Sequence, residues 1–366
     1  MSASKAPTPR PGILDIAAYQ GGEGRIPGLA KPIRLASNES ALGPSPAAVA
    51  AYKAAADDMF RYPDGHAAAL RQTLARHHGI DADRIVCGAG SDDLIHLLAS
   101  AYAGPGDEVL YGKHGFAIYP IAAQTAGATP VPVPETNLTF DVDATLARVT
   151  KKTRIVFIAN PNNPTGTFIP RDALARLHEG LPRSVLLVVD SAYAEYVVRN
   201  DYDPGLALAT DAPNVVMTRT FSKIYALGGL RLGWCTASPA IVDVLNRVRN
   251  PFNVSSAATA AGIAALEDVA SVDKARAHND VWRPFLAREL AALGLEIVPS
   301  VANFVLARFP AAPKDAAAAW DFLRGRGILV RKVGVYHLPE YLRITIGTEA
   351  EMRDVVAAVS AFLGKS

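Results

Sequence analysis

Four short apolar runs in this chain each end on residue types that can do chemistry. Val215–Thr220 leads into Phe221-Ser222-Lys223, and Arg231 follows eight residues past the lysine. The run Val-Leu-Leu-Val-Val closes on Asp190, with Tyr193 three residues on. Arg154–Ala159 leads into Asn160-Pro-Asn-Asn-Pro-Thr-Gly166, and Arg84–Cys87 into Gly88-Ala-Gly-Ser-Asp92. A lysine amine can form a Schiff base, and a carboxylate can hold a ring nitrogen protonated. Tyr and Asn can hydrogen-bond a phenolic oxygen, while Ser, Arg and free backbone N–H groups can cup a phosphate. Carbonyl chemistry on a phosphorylated pyridine cofactor needs those four parts together.

Taken singly, each part has a plainer explanation. A lysine after a buried strand is usually a solvated helix-start residue. Asp190 reads equally well as a cap of the next helix. Asn-Pro and Thr-Gly favour turns by themselves. The Gly88-Ala-Gly segment resembles the start of a dinucleotide fingerprint, but Asp93 stands where the third glycine belongs, so a nicotinamide dehydrogenase is disfavoured. The weight of the set lies in its placement, because in an open parallel sheet ligands sit beyond the carboxyl ends of the strands.

The elements that must hold these residues read as follows. Helices are expected over Pro46–Met59, His66–His78, Asp93–Ala103, Asp143–Val149 and Arg171–Leu177, alternating with strands at Arg84–Cys87, Glu108–Tyr111, Thr129–Val133, Arg154–Ala159, Ser184–Asp190 and Val215–Thr220. The runs Arg154–Ala159, Val185–Asp190 and Asn214–Thr220 are continuous rather than alternating, as expected of strands covered on both faces. The fold class is therefore α/β, a large domain whose mainly parallel central sheet has helices on both faces. Ile241–Arg249 and Ala257–Glu267 read as connecting helices. A smaller α+β domain follows, with helices at Trp282–Leu293, Ala316–Arg326 and Glu349–Leu363 and strands between them. The expected division is an N-terminal arm packing on the small domain (1–44), a large cofactor domain (45–268) and a small C-terminal domain (269–366).

As a joint pattern, Asn-Pro-Thr-Gly, Asp190-x-x-Tyr193, Ser222-Lys223 and Arg231-Leu-Gly-Trp resembles the fold type I pyridoxal phosphate aminotransferases. Within them it is most similar to the histidinol-phosphate aminotransferases. Tyr19-Gln-Gly-Gly22, Asn38-Glu39, Arg61-Tyr62-Pro and Tyr341-Leu-Arg-Ile-Thr-Ile-Gly347 extend the match over nearly the whole chain. The resemblance implies pyridoxal 5'-phosphate as cofactor and Lys223 as Schiff-base lysine and proton shuttle. It implies Asp190 on the ring nitrogen, and Tyr193 and Asn163 on the phenolic oxygen. Ser222, Arg231 and the backbone of Gly90, Ser91 and Asp92 would bind the cofactor phosphate, and Tyr62 would reach the cofactor of the partner subunit. A homodimer with shared active sites follows from that. Phe116 is the candidate for stacking on the cofactor, in a stretch (Tyr111-Gly-Lys-His-Gly-Phe116) that departs from the family's usual Pro-Pro-Thr-Tyr. Tyr19, Asn38, Asn163, Arg331 and Arg343 are the implied substrate contacts. Arg331 reads equally well as a solvated edge-strand arginine.

The implied reaction is amino transfer from L-histidinol phosphate to 2-oxoglutarate, giving imidazole acetol phosphate and L-glutamate in histidine biosynthesis. An aromatic amino acid aminotransferase or a threonine-phosphate decarboxylase would present nearly the same cofactor residues. Composition narrows the field further. In 366 residues, 37 Lys and Arg against 35 Asp and Glu leave a formal net charge of +2, so no strong field favours nucleic acid or an anionic membrane. Some 30 residues precede the α/β region and are not basic, which leaves no room for a helix-turn-helix and disfavours a ligand sensor. The eight histidines lack metal-ligand spacing, so no metal is expected. Cys87 and Cys235 alone cannot make a disulfide framework, no run has the length of a membrane span, and residues 1–12 read as a loose tail without the apolar core of a signal peptide. A cytoplasmic enzyme is the expectation.

Overall fold

The apolar runs form the middle of a seven-stranded sheet. In the computed structural model, which describes residues 7–309 and 311–365, its order is Ile85–Gly88, Gly233–Ala237, Val215–Thr220, Leu186–Asp190, Thr153–Ala159, Glu108–Gly112, Thr129–Val133. Every strand runs the same way except Gly233–Ala237, which lies antiparallel to both neighbours. The first six residues of the expected tail lie outside the described residues.

Every residue of Leu186–Asp190 and of Val215–Thr220 is buried, because alternate side chains enter two different cores. Val156, Ile158, Leu187 and Val189 pack under Ala68–His78, Arg171–Gly180 and Ser256–Glu267. Ile155, Phe157, Leu186 and Val188 pack under Ser91–Tyr102, Ile118–Ala126 and Pro239–Val248. Local signals set the helix ends. Ser45 accepts from Ala48 N ahead of Pro46, Ser255 accepts from Ala258 N, and Thr348 with Glu351 forms a reciprocal capping box.

A second, five-stranded sheet has the order Ile33–Leu35, Ile328–Lys332, Tyr341–Thr345, Phe304–Arg308, Glu296–Val298. Ile33–Leu35 comes from the N-terminal arm and pairs in parallel with Ile328–Val330. The remaining contacts in this sheet are antiparallel.

The helices Ile118–Ala126 and Leu206–Asp211, the antiparallel strand Gly233–Ala237, the arm strand Ile33–Leu35 and the small hairpin Glu135–Thr136/Thr139–Phe140 escape the sequence reading. The helix expected at Trp282–Leu293 is Val269–Ala292, twice as long. Its first half buries only Ala275 and Asn279, too sparse an apolar stripe to show helical period, and Pro284 stands within it. Ala275 enters the core of the large sheet, and Leu286 and Leu290 that of the small one, so this helix ties the two cores together.

Candidate active site

The carboxyl ends of the parallel strands open into a cleft of about 360 Å³ walled on the far side by the small sheet and the arm. Lys223 stands in it three residues past Thr220, and its Nζ donates to the Ser37 carbonyl at 3.2 Å. Burial of the ammonium, with repulsion from Arg343 and Arg231, lowers its pKa to about 8. The amine is therefore far closer to neutral than an exposed lysine at the same pH.

Asp190 ends its strand at the floor of the cleft. Full burial raises its pKa, and two hydrogen bonds oppose that rise. The Tyr119 hydroxyl donates to Oδ2 at 2.8 Å, and the Thr218 hydroxyl to Oδ1 at 3.1 Å. Tyr193 is buried above it, and its hydroxyl accepts from Asn38 Nδ2 at 2.8 Å. Asn38 sits at φ 55° and is fixed from the small sheet side, where its backbone N–H donates to Thr345 and Asn303 donates to its carbonyl.

The cup expected to take a phosphate lies at the start of the helix Ser91–Tyr102, whose first N–H groups are free to meet an anion. Arg231 Nη1 reaches Ser222 Oγ at 3.3 Å and the Gly228 carbonyl at 3.0 Å, and Nη2 pairs with Asp92 at 2.8 Å. Gly90 has φ 98°, and a Cβ there would lie 2.5 Å from Arg231 Nη2, so glycine is what lets backbone and guanidinium converge. The donors, the glycine and the helix end fit a phosphate monoester, and the buried Asp190 fits a protonated ring nitrogen.

The opposite wall carries two arginines. Arg331 (8 % exposed) and Arg343 (4 % exposed) are cross-strand partners in the small sheet. Their hydrogen bonds go to neutral oxygens: Arg331 to the Gln20 carbonyl at 2.5 Å, Arg343 to the Ala36 carbonyl at 2.7 Å and to Asn163 Oδ1. Arg343 Nε is buried without a partner. Two buried cations satisfied by carbonyl and amide oxygens leave an uncompensated positive field facing Lys223, which an anionic substrate group can neutralise.

Tyr19, Asn38, Ser91, Asp92, Phe116, Asn163, Asp190, Tyr193, Ser222, Lys223, Arg231, Arg331 and Arg343 thus line one cleft, with Gly90 directly behind it. Tyr19 and Phe116 meet edge to face at 6.5 Å at its mouth. Tyr62 is elsewhere, stacked on Phe252 at 4.8 Å on the outer surface. Tyr119 and Thr218 were missed by sequence reasoning, as was His114, whose ring Nδ1 donates across to the Tyr336 carbonyl at 2.6 Å. Thr218 shares a strand face with Thr220, and that period of two was the one signal available.

The chain resembles known proteins throughout. A family model described as aminotransferase class I and II matches residues 30–359. A histidinol-phosphate aminotransferase of Rhodospirillum centenum is 58 % identical over 98 % of this chain and 99 % of its own, and one of Paramagnetospirillum magneticum 57 % over the same shares. The solved structure of histidinol-phosphate aminotransferase from Sinorhizobium meliloti in complex with pyridoxal-5'-phosphate superposes with a TM-score of 0.91, at 32 % identity, covering 99 % of each chain. Fold, cleft and likeness agree, and the chain belongs to the aminotransferase class I and II family.

Proposed function

We propose that this enzyme transfers the amino group of L-histidinol phosphate to 2-oxoglutarate, giving imidazole acetol phosphate and L-glutamate for histidine biosynthesis, with pyridoxal 5'-phosphate as cofactor. The observation that carries the substrate assignment is the pair of buried arginines, Arg331 and Arg343, facing Lys223 without a carboxylate counterion. A phosphate monoester, with nearly two charges and three acceptor oxygens, is the ligand class that uses both guanidinium groups. The names of the relatives at 57–58 % identity support the same reading.

The bound cofactor supplies an aldehyde for amines and a ring that draws electrons from the substrate carbon. Lys223 Nζ would hold that aldehyde, and once the substrate amine has displaced it the free Nζ would accept the proton from the amino-bearing carbon. Asp190 holds the ring nitrogen protonated, while Tyr193 and Asn163 bond the phenolic oxygen. Ser222, Arg231 and the N–H groups of Ser91 and Asp92 fix the cofactor phosphate, while the Gly90 N–H, expected to join them, donates to the Gly88 carbonyl at 2.8 Å, and Phe116 covers the ring face. Tyr19, Asn38, Arg331 and Arg343 receive the substrate. The two half-reactions share one anion site, so glutamate's α-carboxylate and the substrate phosphate occupy it in turn.

The reading divides the chain into an arm (1–44), a cofactor domain (45–268) and a small domain (269–366). It also makes the enzyme a homodimer in the cytoplasm. Met59, Phe60 and Tyr62 are 80 %, 73 % and 83 % exposed, and Tyr62 stacks on the half-exposed Phe252, apolar surface of the kind that a subunit contact covers. Cys87 and Cys235 are both buried free thiols, which suits a reducing compartment. Among the described residues no helix is long and apolar enough to cross a membrane.

A substrate panel with 2-oxoglutarate as acceptor tests the assignment. Arg331→Gln removes one hydrogen bond to a charged group, about 1.5–3 kcal/mol, so kcat/KM for histidinol phosphate should fall about 10- to 150-fold while phenylalanine, without a phosphate, is spared. Arg343→Gln should impair every substrate. If wild-type enzyme prefers phenylalanine or tyrosine, or Arg331→Gln slows both classes equally, the aromatic aminotransferase reading takes over, for which the Tyr19–Phe116 pair at the cleft mouth is the favouring feature.

A further inference from the structure

Behind Asp190, on the side away from the cleft opening, stands a phenol that no motif marks. Tyr119 lies near the start of the helix Ile118–Ala126 and is 1 % exposed. Its ring stacks parallel on Phe157 at 4.8 Å and meets the edge of Phe116 at 5.8 Å. Held between two aromatic rings, the hydroxyl has little freedom except to point at Asp190 Oδ2, 2.8 Å away. The other carboxylate oxygen takes the Thr218 hydroxyl at 3.1 Å from the neighbouring strand, where Thr218 is the register partner of Asp190.

Such an acid faces a specific difficulty. Burial favours its neutral form, and a neutral carboxyl cannot hold a proton on a pyridine nitrogen by charge. Asp92 adds to the difficulty from across the cup. Two hydroxyl donors oppose it, and each leaves a lone pair on its oxygen free for the ring N–H. We propose that Tyr119 is a positioning residue that keeps Asp190 ionised and aimed at the cofactor's ring nitrogen, and that its edge contact with Phe116 couples the ring at the cleft mouth to this acid. The proposal rests on the reading of Asp190 given above. Tyr119 is suited to the role because burial and the adjacent carboxylate raise its own pKa well above 10.0, so it remains a donor at every working pH.

The test uses holoenzyme and reads the absorbance of the cofactor bound at Lys223 as pH is varied, together with the cofactor dissociation constant. A protonated ring nitrogen repels the proton on the nitrogen that joins Lys223 to the cofactor, so weakening Asp190 raises the apparent pKa of that link. Tyr119→Phe removes only the hydroxyl. It should raise the apparent pKa by about one to two units, weaken cofactor binding about tenfold or more, and lower kcat with little change in KM. Thr218→Val, a separate variant on a different strand, should shift the titration in the same direction. Asp190→Asn checks the underlying reading and should shift it further than either. If Asp190→Asn leaves titration and affinity unchanged, Asp190 is not the ring-nitrogen acid. If Asp190→Asn shifts them while Tyr119→Phe and Thr218→Val titrate as wild type, the phenol is packing alone and the proposal falls.

Discussion

If Lys223 is the cofactor's lysine, its lowered pKa sets the pH range in which the site takes the cofactor up. Only the neutral amine attacks an aldehyde, and with a pKa of about 8 the neutral form gains as pH rises to that value and saturates above it. Mixing cofactor-free protein with pyridoxal phosphate should therefore give a colour-forming rate that drops about tenfold per pH unit below 8 and is flat above it. Borohydride should then fix the colour to the peptide holding Lys223, and Lys223→Ala should bind cofactor without turning over. A rate that climbs steadily to pH 10, or an adduct on another lysine, would overturn the assignment. The sequence shows these chemical groups because each ends an apolar run or falls in a recognisable cluster. Tyr119 and His114 have neither advantage. They act through rotamer and distance, on elements far from Asp190 and Tyr336 in the chain, and nothing in local spacing encodes that.

At the scale of elements, the least legible strand is the one packed against the cup formed by Gly90, Ser91 and Asp92. Gly233–Ala237 opens with glycine and continues Trp-Cys-Thr-Ala, so no β-branched or leucine run announces it. Its direction is set by the tight Gly228–Leu230 turn just before it, which also brings Arg231 around at φ 53°. A Cβ on Gly233 would lie 2.4 Å from the Ser91 nitrogen and 2.5 Å from the Gly90 carbonyl carbon, both backbone atoms that cannot swing aside. Gly233→Ala should thus push the helix start out of place, cost about 1–3 kcal/mol, and lower both Tm and cofactor affinity. Gly104→Ala, where nothing lies within 4 Å, should change neither. Calorimetry on the two variants, with and without cofactor, would reveal it if the cup tolerates the extra methyl. The parallel strands, by contrast, were readable because burial on both faces demands unbroken β-branched and leucine runs. The pairing of Arg331 with Arg343 was not, since register between strands from distant parts of the chain is a tertiary fact.

At the scale of the molecule, the surface placement of Tyr62 makes a prediction about subunits. If Tyr62 of one copy completes the cleft of the other, Lys223→Ala and Tyr62→Ala proteins, each nearly inactive, should recover activity when unfolded and refolded together. Half of the random dimers would be mixed and each would carry one intact site, so recovery should approach about a quarter of wild type. No recovery would mean that the site is complete within one chain. The N-terminal arm has a different consequence, for how the protein is made. Leu35 pairs with Val330, Arg343 bonds the Ala36 carbonyl, and Asn303 bonds that of Asn38. On the ribosome the arm emerges first and has no sheet to join until the last strands are synthesised. Asn38, Arg331 and Arg343 therefore cannot take their places in the cleft before translation is nearly over, while the helices and strands around Asp190 and Lys223 already can. The nascent enzyme can thus build the floor around Asp190 and Lys223 early, but a prematurely terminated chain lacks the wall that carries Arg331 and Arg343.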